Sequence, residues 1–173
     1  MPDTPTFSPA ALEELRGIIA RYPEGRQKSA LIPALHLAQR EFGGWLSVPV
    51  MDYVASLLSI TPIEVYEVAG FYSMFNTKPV GRFLLEPCRT GPCALNGSDD
   101  LIAHLESRLG IKDGETTPDG LFTLKTTECL GACGMGPVIQ VGEKYHELMN
   151  AEKADALLAE LRRQAGAAAK AGA

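Results

Sequence analysis

The sequence predicts an α+β chain in two parts, a bundle of short helices followed by a small sheet covered by helices. Three observations carry that prediction. Apolar residues recur at helical spacing from Ser8 to about Asn76, the pattern changes after Pro79-Val80-Gly81, and short strand-like runs then alternate with helical ones. The implied divisions are 8–80 for the helical part, 81–163 for the sheet part, and a tail over 164–173 that carries no apolar anchor larger than alanine and is expected to be disordered.

The first helix opens at Ser8 as N-cap with Pro9 at the first helical position, and Leu12, Leu15, Ile18, Ile19 and Tyr22 follow on one face. A second helical run spans Ser29 to Phe42 through Leu31, Leu35 and Ala38. Its Pro33 is tolerable only near a first turn, so a kink or a late start is expected there, and Gly43-Gly44 ends it. Ser47, with Pro49, Val50, Tyr53, Val54, Leu57 and Leu58, gives a third helix. Thr61-Pro62-Ile63-Glu64 has the form of a capping box and opens a fourth, running to about Ala69 before Gly70.

In the second part Arg82 to Glu86 reads as a strand stopped by Pro87. A loop starting at Cys88 leads to Gly97-Ser98-Asp99-Asp100, an acidic helix start, and Leu101, Ile102, Leu105 and Leu109 continue that helix to Gly110. Leu121–Thr127 and Pro137–Val141 read as strands and Ala151–Arg163 as a final helix. The order strand, helix, strand, strand, helix suits an open sheet with one parallel crossover, as in thioredoxin-like folds.

Composition narrows the function. With 16 basic against 21 acidic residues, a net charge of -5 and pI near 5.2, the chain shows no basic stripe for a phosphate backbone, so no nucleic acid is expected. The N-terminal stretch has no signal-peptide pattern and no run approaches the length of a membrane span, so a soluble cytosolic protein without direct membrane insertion is expected. Four cysteines in a reducing compartment then point to a metal or redox centre rather than disulfides.

The cysteines form two pairs, Cys88-Arg-Thr-Gly-Pro-Cys93 and Cys129-Leu-Gly-Ala-Cys133, with thirty-five residues between them. A 2Fe-2S cluster has two irons with two open positions each, so two thiolate pairs on two loops are its simplest protein ligation; Cys88, Cys93, Cys129 and Cys133 are the candidate cofactor- and metal-binding residues. Gly131, Ala132, Gly134 and Gly136 beside the second pair, and Gly91, Ala94 and Gly97 beside the first, allow backbone N–H groups to approach sulfur. A zinc staple closing the loops of an interaction module uses the same residue types and stands as the alternative of another class. A free-standing 2Fe-2S ferredoxin is a third reading. Arg89 and Thr90 are candidates to tune the cluster from inside the first loop. His36, His104 and His146 are scattered singly and form no Rieske-type pair, Phe71, Tyr72 and Phe75 are either a docking surface or core, and no dinucleotide fingerprint is present.

The loops Cys88–Cys93 and Glu128–Cys133, the segment Thr116-Thr117-Pro118-Asp119-Gly120, and in the helical part Ser29–Gly44 and Glu64–Phe75 resemble the NuoE-type 2Fe-2S subunits of bacterial NADH:quinone oxidoreductase, respiratory complex I. The resemblance covers roughly residues 10 to 163. It departs at Gly136-Pro137, where the family usually has Ala-Pro, and at Gly142-Glu143-Lys144, where an Asn-Asp pair is common.

The resemblance implies a helical region ahead of a thioredoxin-like 2Fe-2S ferredoxin domain, and a non-catalytic electron carrier docked on a larger subunit that binds FMN and oxidises NADH. Other peripheral-arm subunits would be neighbours, with the whole lying on the cytoplasmic side of the inner membrane. NAD-dependent formate dehydrogenases and NAD-reducing hydrogenases contain the same kind of subunit, so the host complex stays open at this point.

Overall fold

In the computed structural model, which describes residues 5–171, the chain divides into two compact units, Met1–Pro79 and Val80–Ala173. The first unit is all helix: α1 (Pro9–Ile19), α2 (Leu31–Glu41), α3 (Val48–Leu58) and α4 (Pro62–Phe71). Their starts are local. Ser8 Oγ accepts from the Ala11 amide at 3.3 Å, Ser47 Oγ from Val50 at 3.4 Å, and the Glu64 carboxylate accepts from both the amide and the hydroxyl of Thr61 at 2.8 Å. A 3-10 turn over Gln27–Ala30 delays α2 to Leu31, so Pro33 falls in the first turn, where its missing N–H breaks no helical bond. The late start expected at Pro33 is what the chain adopts. α4 runs on through Gly70 to Phe71.

Leu15, Leu31, Leu35, Leu37, Leu46, Val54, Leu58 and Val65 are buried among these helices, and Phe75 joins them with its ring 4.9 Å from that of His36. Phe71, by contrast, is 80% exposed. Asn76 closes the unit: its amide donates to Gln39 Oε1 at 2.7 Å, its side chain donates to the Gly44 carbonyl at 3.0 Å, and its own carbonyl accepts from the Leu46 amide at 2.7 Å. A buried polar side chain is thus satisfied while it ties the segment after α4 to the end of α2.

The second unit is a four-stranded mixed sheet with helices, which makes the chain α+β as the sequence predicts. In chain order the elements are β1 (Phe83–Pro87), α5 (Gly91–Leu95), α6 (Ser98–Leu109), β2 (Phe122–Leu124), β3 (Ile139–Val141), β4 (Lys144–His146) and α7 (Ala151–Ala171), with spatial strand order β2-β1-β3-β4. β1 pairs in parallel with β2 (Leu85 opposite Leu124) and antiparallel with β3 (Leu85 opposite Val141), and β3 pairs antiparallel with β4. Leu101, Leu105 and Leu109 of α6 and Ala154, Leu158 and Leu161 of α7 share one core with Leu85, Phe122, Leu124 and Ile139 of the sheet.

α5 stands inside the expected loop and β2 is shorter than the expected Leu121–Thr127, and three further details differ from what the sequence predicts. Pro87 is the last residue of β1 rather than the first beyond it, because its position needs only a carbonyl, which accepts from the Thr127 amide at 3.0 Å. β4 is an additional strand, joined to β3 by the two residues Gly142-Glu143 with Gly142 at φ 60. α7 continues over Gln164–Ala171, where a disordered tail is expected; alanine is the strongest helix former, and Gly166 alone does not stop the run. The rest of the expected tail, residues 172–173, lies outside the described residues. Among the described residues no helix is long and apolar enough to cross a membrane.

Candidate metal centre

Parallel strands send their following loops out at the same end of a sheet, and β1 and β2 are parallel. The ladder between them runs on past the strands proper, through Lys125 N–H to the Leu85 carbonyl, Thr127 N–H to Pro87, and Arg89 N–H to Thr127, each at 3.0 Å. It ends with Cys88 bridged to Thr127, two residues before Cys129. The sheet therefore brings the two cysteine loops, distant in sequence, to one end of the strand pair.

The first loop is fixed from several sides. The Cys88 amide donates to the Val138 carbonyl at 3.0 Å, the Thr90 carbonyl accepts from the amides of Cys93 and Ala94 at 2.9 and 3.0 Å, and the Ser98 hydroxyl donates to the Cys88 carbonyl. Cys88 and Cys93 are 2% and 3% exposed. The second loop is open: Cys129 and Cys133 are both exposed. Gly131, at φ 72, takes a backbone conformation that disfavours a side chain and turns its amide onto Cys129 Sγ at 3.4 Å.

The sulfur atoms have partners of their own. Burial pushes the Cys88 thiol up, but the Thr90 hydroxyl and the amides of Thr90 and Leu130 outweigh it and hold the group below its ordinary value. Burial pushes Cys93 up, and the neighbouring Cys88 adds to the rise; the Val138 amide works in the opposite direction, and Cys133 is close enough to act on it by charge. Gly136 lies against this group, since a Cβ there would stand 3.1 Å from Cys93 Sγ and 3.7 Å from the Cys133 carbonyl.

This donor set fits a 2Fe-2S group. Cys88 and Cys93 act on each other directly, Cys133 acts on Cys93 by charge, and Cys129 stands next to Glu128, whose carbonyl is 3.0 Å from Cys88 Sγ. Backbone N–H groups face three sulfurs, the compensation that thiolates on an anionic cluster need. Among the described residues no three Cys, His, Asp or Glu side chains converge as the ligands of one metal ion. His36, His104 and His146 sit on α2, α6 and β4. Val138, Ser98 and the carbonyl of Glu128 were not legible as parts of the site, because each acts through the backbone or through a contact that only folding makes; Gly136 was legible beside the second pair, but its place against Cys93 was not.

The profile of the thioredoxin-like [2Fe-2S] ferredoxin family matches residues 15–162. This chain belongs to that family. Family membership accounts for the sheet, for the paired cysteine loops and for the cluster, which is the family's cofactor. Among curated family relatives, the NADH-quinone oxidoreductase E 2 subunit of Rhizobium meliloti (strain 1021) is 52% identical over 150 residues, covering 87% of this chain and 88% of the relative. The NADH-quinone oxidoreductase E-type subunit of Rickettsia felis (strain ATCC VR-1525 / URRWXCal2) is 48% identical over 155 residues, covering 90% and 93%. Among solved structures, the NAD+-reducing [NiFe]-hydrogenase in the air-oxidized state aligns with a TM-score of 0.67 at 23% identity, over 78% of this chain and 23% of that one. That last likeness is one of fold.

Proposed function

We propose that this chain is the electron-transfer subunit of an NADH-quinone oxidoreductase, carrying one 2Fe-2S cluster on Cys88, Cys93, Cys129 and Cys133. The observation that carries the reading is the meeting of two cysteine pairs at the end of the parallel strand pair, with amides directed at sulfur, in a chain about half identical to E-type subunits of that oxidoreductase along most of its length. When bound, the cluster supplies a one-electron site. The chain's own residues hold it: the buried pair anchors it to the sheet, the exposed pair closes over it, and the amides of Thr90, Leu130, Gly131 and Val138 offset the charge on sulfur.

Its partner in this reading is the subunit of the same complex that binds FMN and oxidises NADH, with other peripheral-arm subunits beyond it, on the cytoplasmic side of the inner membrane. The isolated chain makes no covalent chemistry on a substrate. Identity near 50% to subunits of quinone oxidoreductases, over most of both chains, supports this host.

The test is anaerobic purification of the full chain with assays of iron, acid-labile sulfide and zinc, followed by low-temperature electron paramagnetic resonance before and after dithionite. Two irons, two sulfides and a rhombic signal appearing on reduction are expected. Stoichiometric zinc without colour, in a chain that also refuses cluster reconstitution, would sink the proposal in favour of a structural zinc module. Oxidation of NADH by the purified chain with a dye acceptor and no flavoprotein would overturn the division of labour.

A further inference from the structure

Cys88 Sγ, Thr90 Oγ1 and the Glu128 carbonyl oxygen form a triangle with sides of 3.3 Å (sulfur to hydroxyl), 2.8 Å (hydroxyl to carbonyl) and 3.0 Å (sulfur to carbonyl). As a free thiol, Cys88 donates its S–H to Glu128, and the carbonyl's two lone pairs accept from both neighbours. As a cluster ligand the cysteine has lost that proton. Sulfur and carbonyl oxygen are then two acceptors facing each other, and the single hydroxyl proton of Thr90 is the one hydrogen of the triangle left to lie between them.

The other donors to Cys88, the amides of Thr90 and Leu130, are backbone groups that cannot change direction without moving the loop. The Thr90 hydroxyl turns about one bond. We propose that Thr90 is a redox-responsive positioning residue, its O–H aimed at the Glu128 carbonyl or at Cys88 sulfur according to the charge of the cluster; this rests on Cys88 being a cluster ligand. Adding one electron to the cluster raises the negative charge on its sulfurs, whereas the carbonyl stays neutral, and hydrogen bonds to the more charged acceptor are the stronger. The hydroxyl therefore favours sulfur in the reduced state and stabilises that state over the oxidised one. Its proton stays on oxygen throughout; only the direction of the bond changes.

Valine is nearly the shape of threonine and keeps the branched Cβ, so Thr90→Val removes the donor and leaves the Thr90 carbonyl in place to receive the Cys93 and Ala94 amides. With the full chain reconstituted with iron and sulfide, dithionite titration followed by electron paramagnetic resonance is expected to give a more negative midpoint potential for Thr90→Val than for wild type, and Thr90→Ser is expected to restore it. After exchange into deuterated water, the reduced wild-type and serine clusters are expected to couple to a hydroxyl deuteron that is missing in valine. An unmoved potential in Thr90→Val, or a serine variant that falls as far as valine, overturns the proposal. So does a reduced wild-type cluster with no deuteron coupling beyond those of the amides. If valine does not retain the cluster, Thr90→Ala carries the same two readouts. A wild-type chain that takes up no two-iron cluster overturns the functional reading itself; a cluster indifferent to Thr90 overturns only this inference.

Discussion

Three of the four helices before Pro79 are opened by devices that span three residues, whereas the cysteine loops after Val80 are held by partners about forty to fifty residues away. Ser8 meets Ala11, Ser47 meets Val50 and Thr61 meets Glu64; Cys88, however, depends on Val138 for its amide, and Arg89 depends on Thr127. Local devices make the first unit a scaffold with its own core and no cysteine, and the parallel strands of the second bring the two cysteine loops to one end of the sheet. The difference separates what stabilises from what reacts, and variants in each unit should separate the two experimentally.

The largest effect is expected from the ligands. Cys93→Ser or Cys129→Ser should remove most of the cluster or change its spectrum, because serine oxygen is a harder and poorer ligand for these irons. Helical content by circular dichroism should hardly change. Wild-type iron and sulfide in both variants would contradict the ligand assignment, whatever the fold.

Next is the scaffold. Leu35 is fully buried in the helical core, and Leu35→Ala should lower unfolding free energy by about 2–5 kcal/mol in a urea melt. The division predicts that cluster absorbance in native buffer persists in this variant. Its disappearance alongside the helical signal would show that the two properties are not separable.

A smaller loss should come from the sheet. Gly81 donates its amide to Thr123 Oγ1 at 2.6 Å, and a Cβ there would stand 2.8 Å from the backbone of Phe122, an atom that cannot step aside. Gly81→Ala should cost about 1–3 kcal/mol, read by the same melt. Unlike Leu35→Ala it strains the strand pair that positions the cysteine loops, so its cluster should also be lost faster to an iron chelator. Equal chelator rates for the two variants would blur the comparison.

The smallest effect concerns a surface group of the helical unit. The hydrogen bond from Lys28, with those from the amide and hydroxyl of Thr61, lowers Glu64 to about 2 from its ordinary 4.5. A carboxyl whose folded value is depressed contributes stability present above pH 4.5, and that contribution is lost as pH falls through about 2. The melting-temperature gap between wild type and Glu64→Gln should therefore be small above pH 4.5 and close toward pH 2; solvent and salt around this exposed pair keep it small. A gap that widens in acid would show the sign to be wrong.

By itself the sequence determined the four opening helices, because apolar spacing, Ser8, Ser47, Thr61 and Glu64 act within a turn of the residues they affect. It also determined the pairing of cysteines and the presence of a sheet after Gly81, since these are matters of residue type and order. Gly142-Glu143 is a readable hairpin signal, but Lys144-Tyr145-His146 carries no apolar alternation and its strand shows only when paired with β3. The alanine-rich end lacks anchors, and yet its backbone propensity decides the helix to Ala171. Only the tertiary structure decided which sulfurs are buried, that Val138 holds both cysteines of the first loop, that Gly136 lies against Cys93, and that one threonine hydroxyl stands between a sulfur and a carbonyl. The reason is that these relations join backbone atoms from separate strands, and the direction of a backbone N–H or C=O is set by sheet register, which no residue type encodes locally.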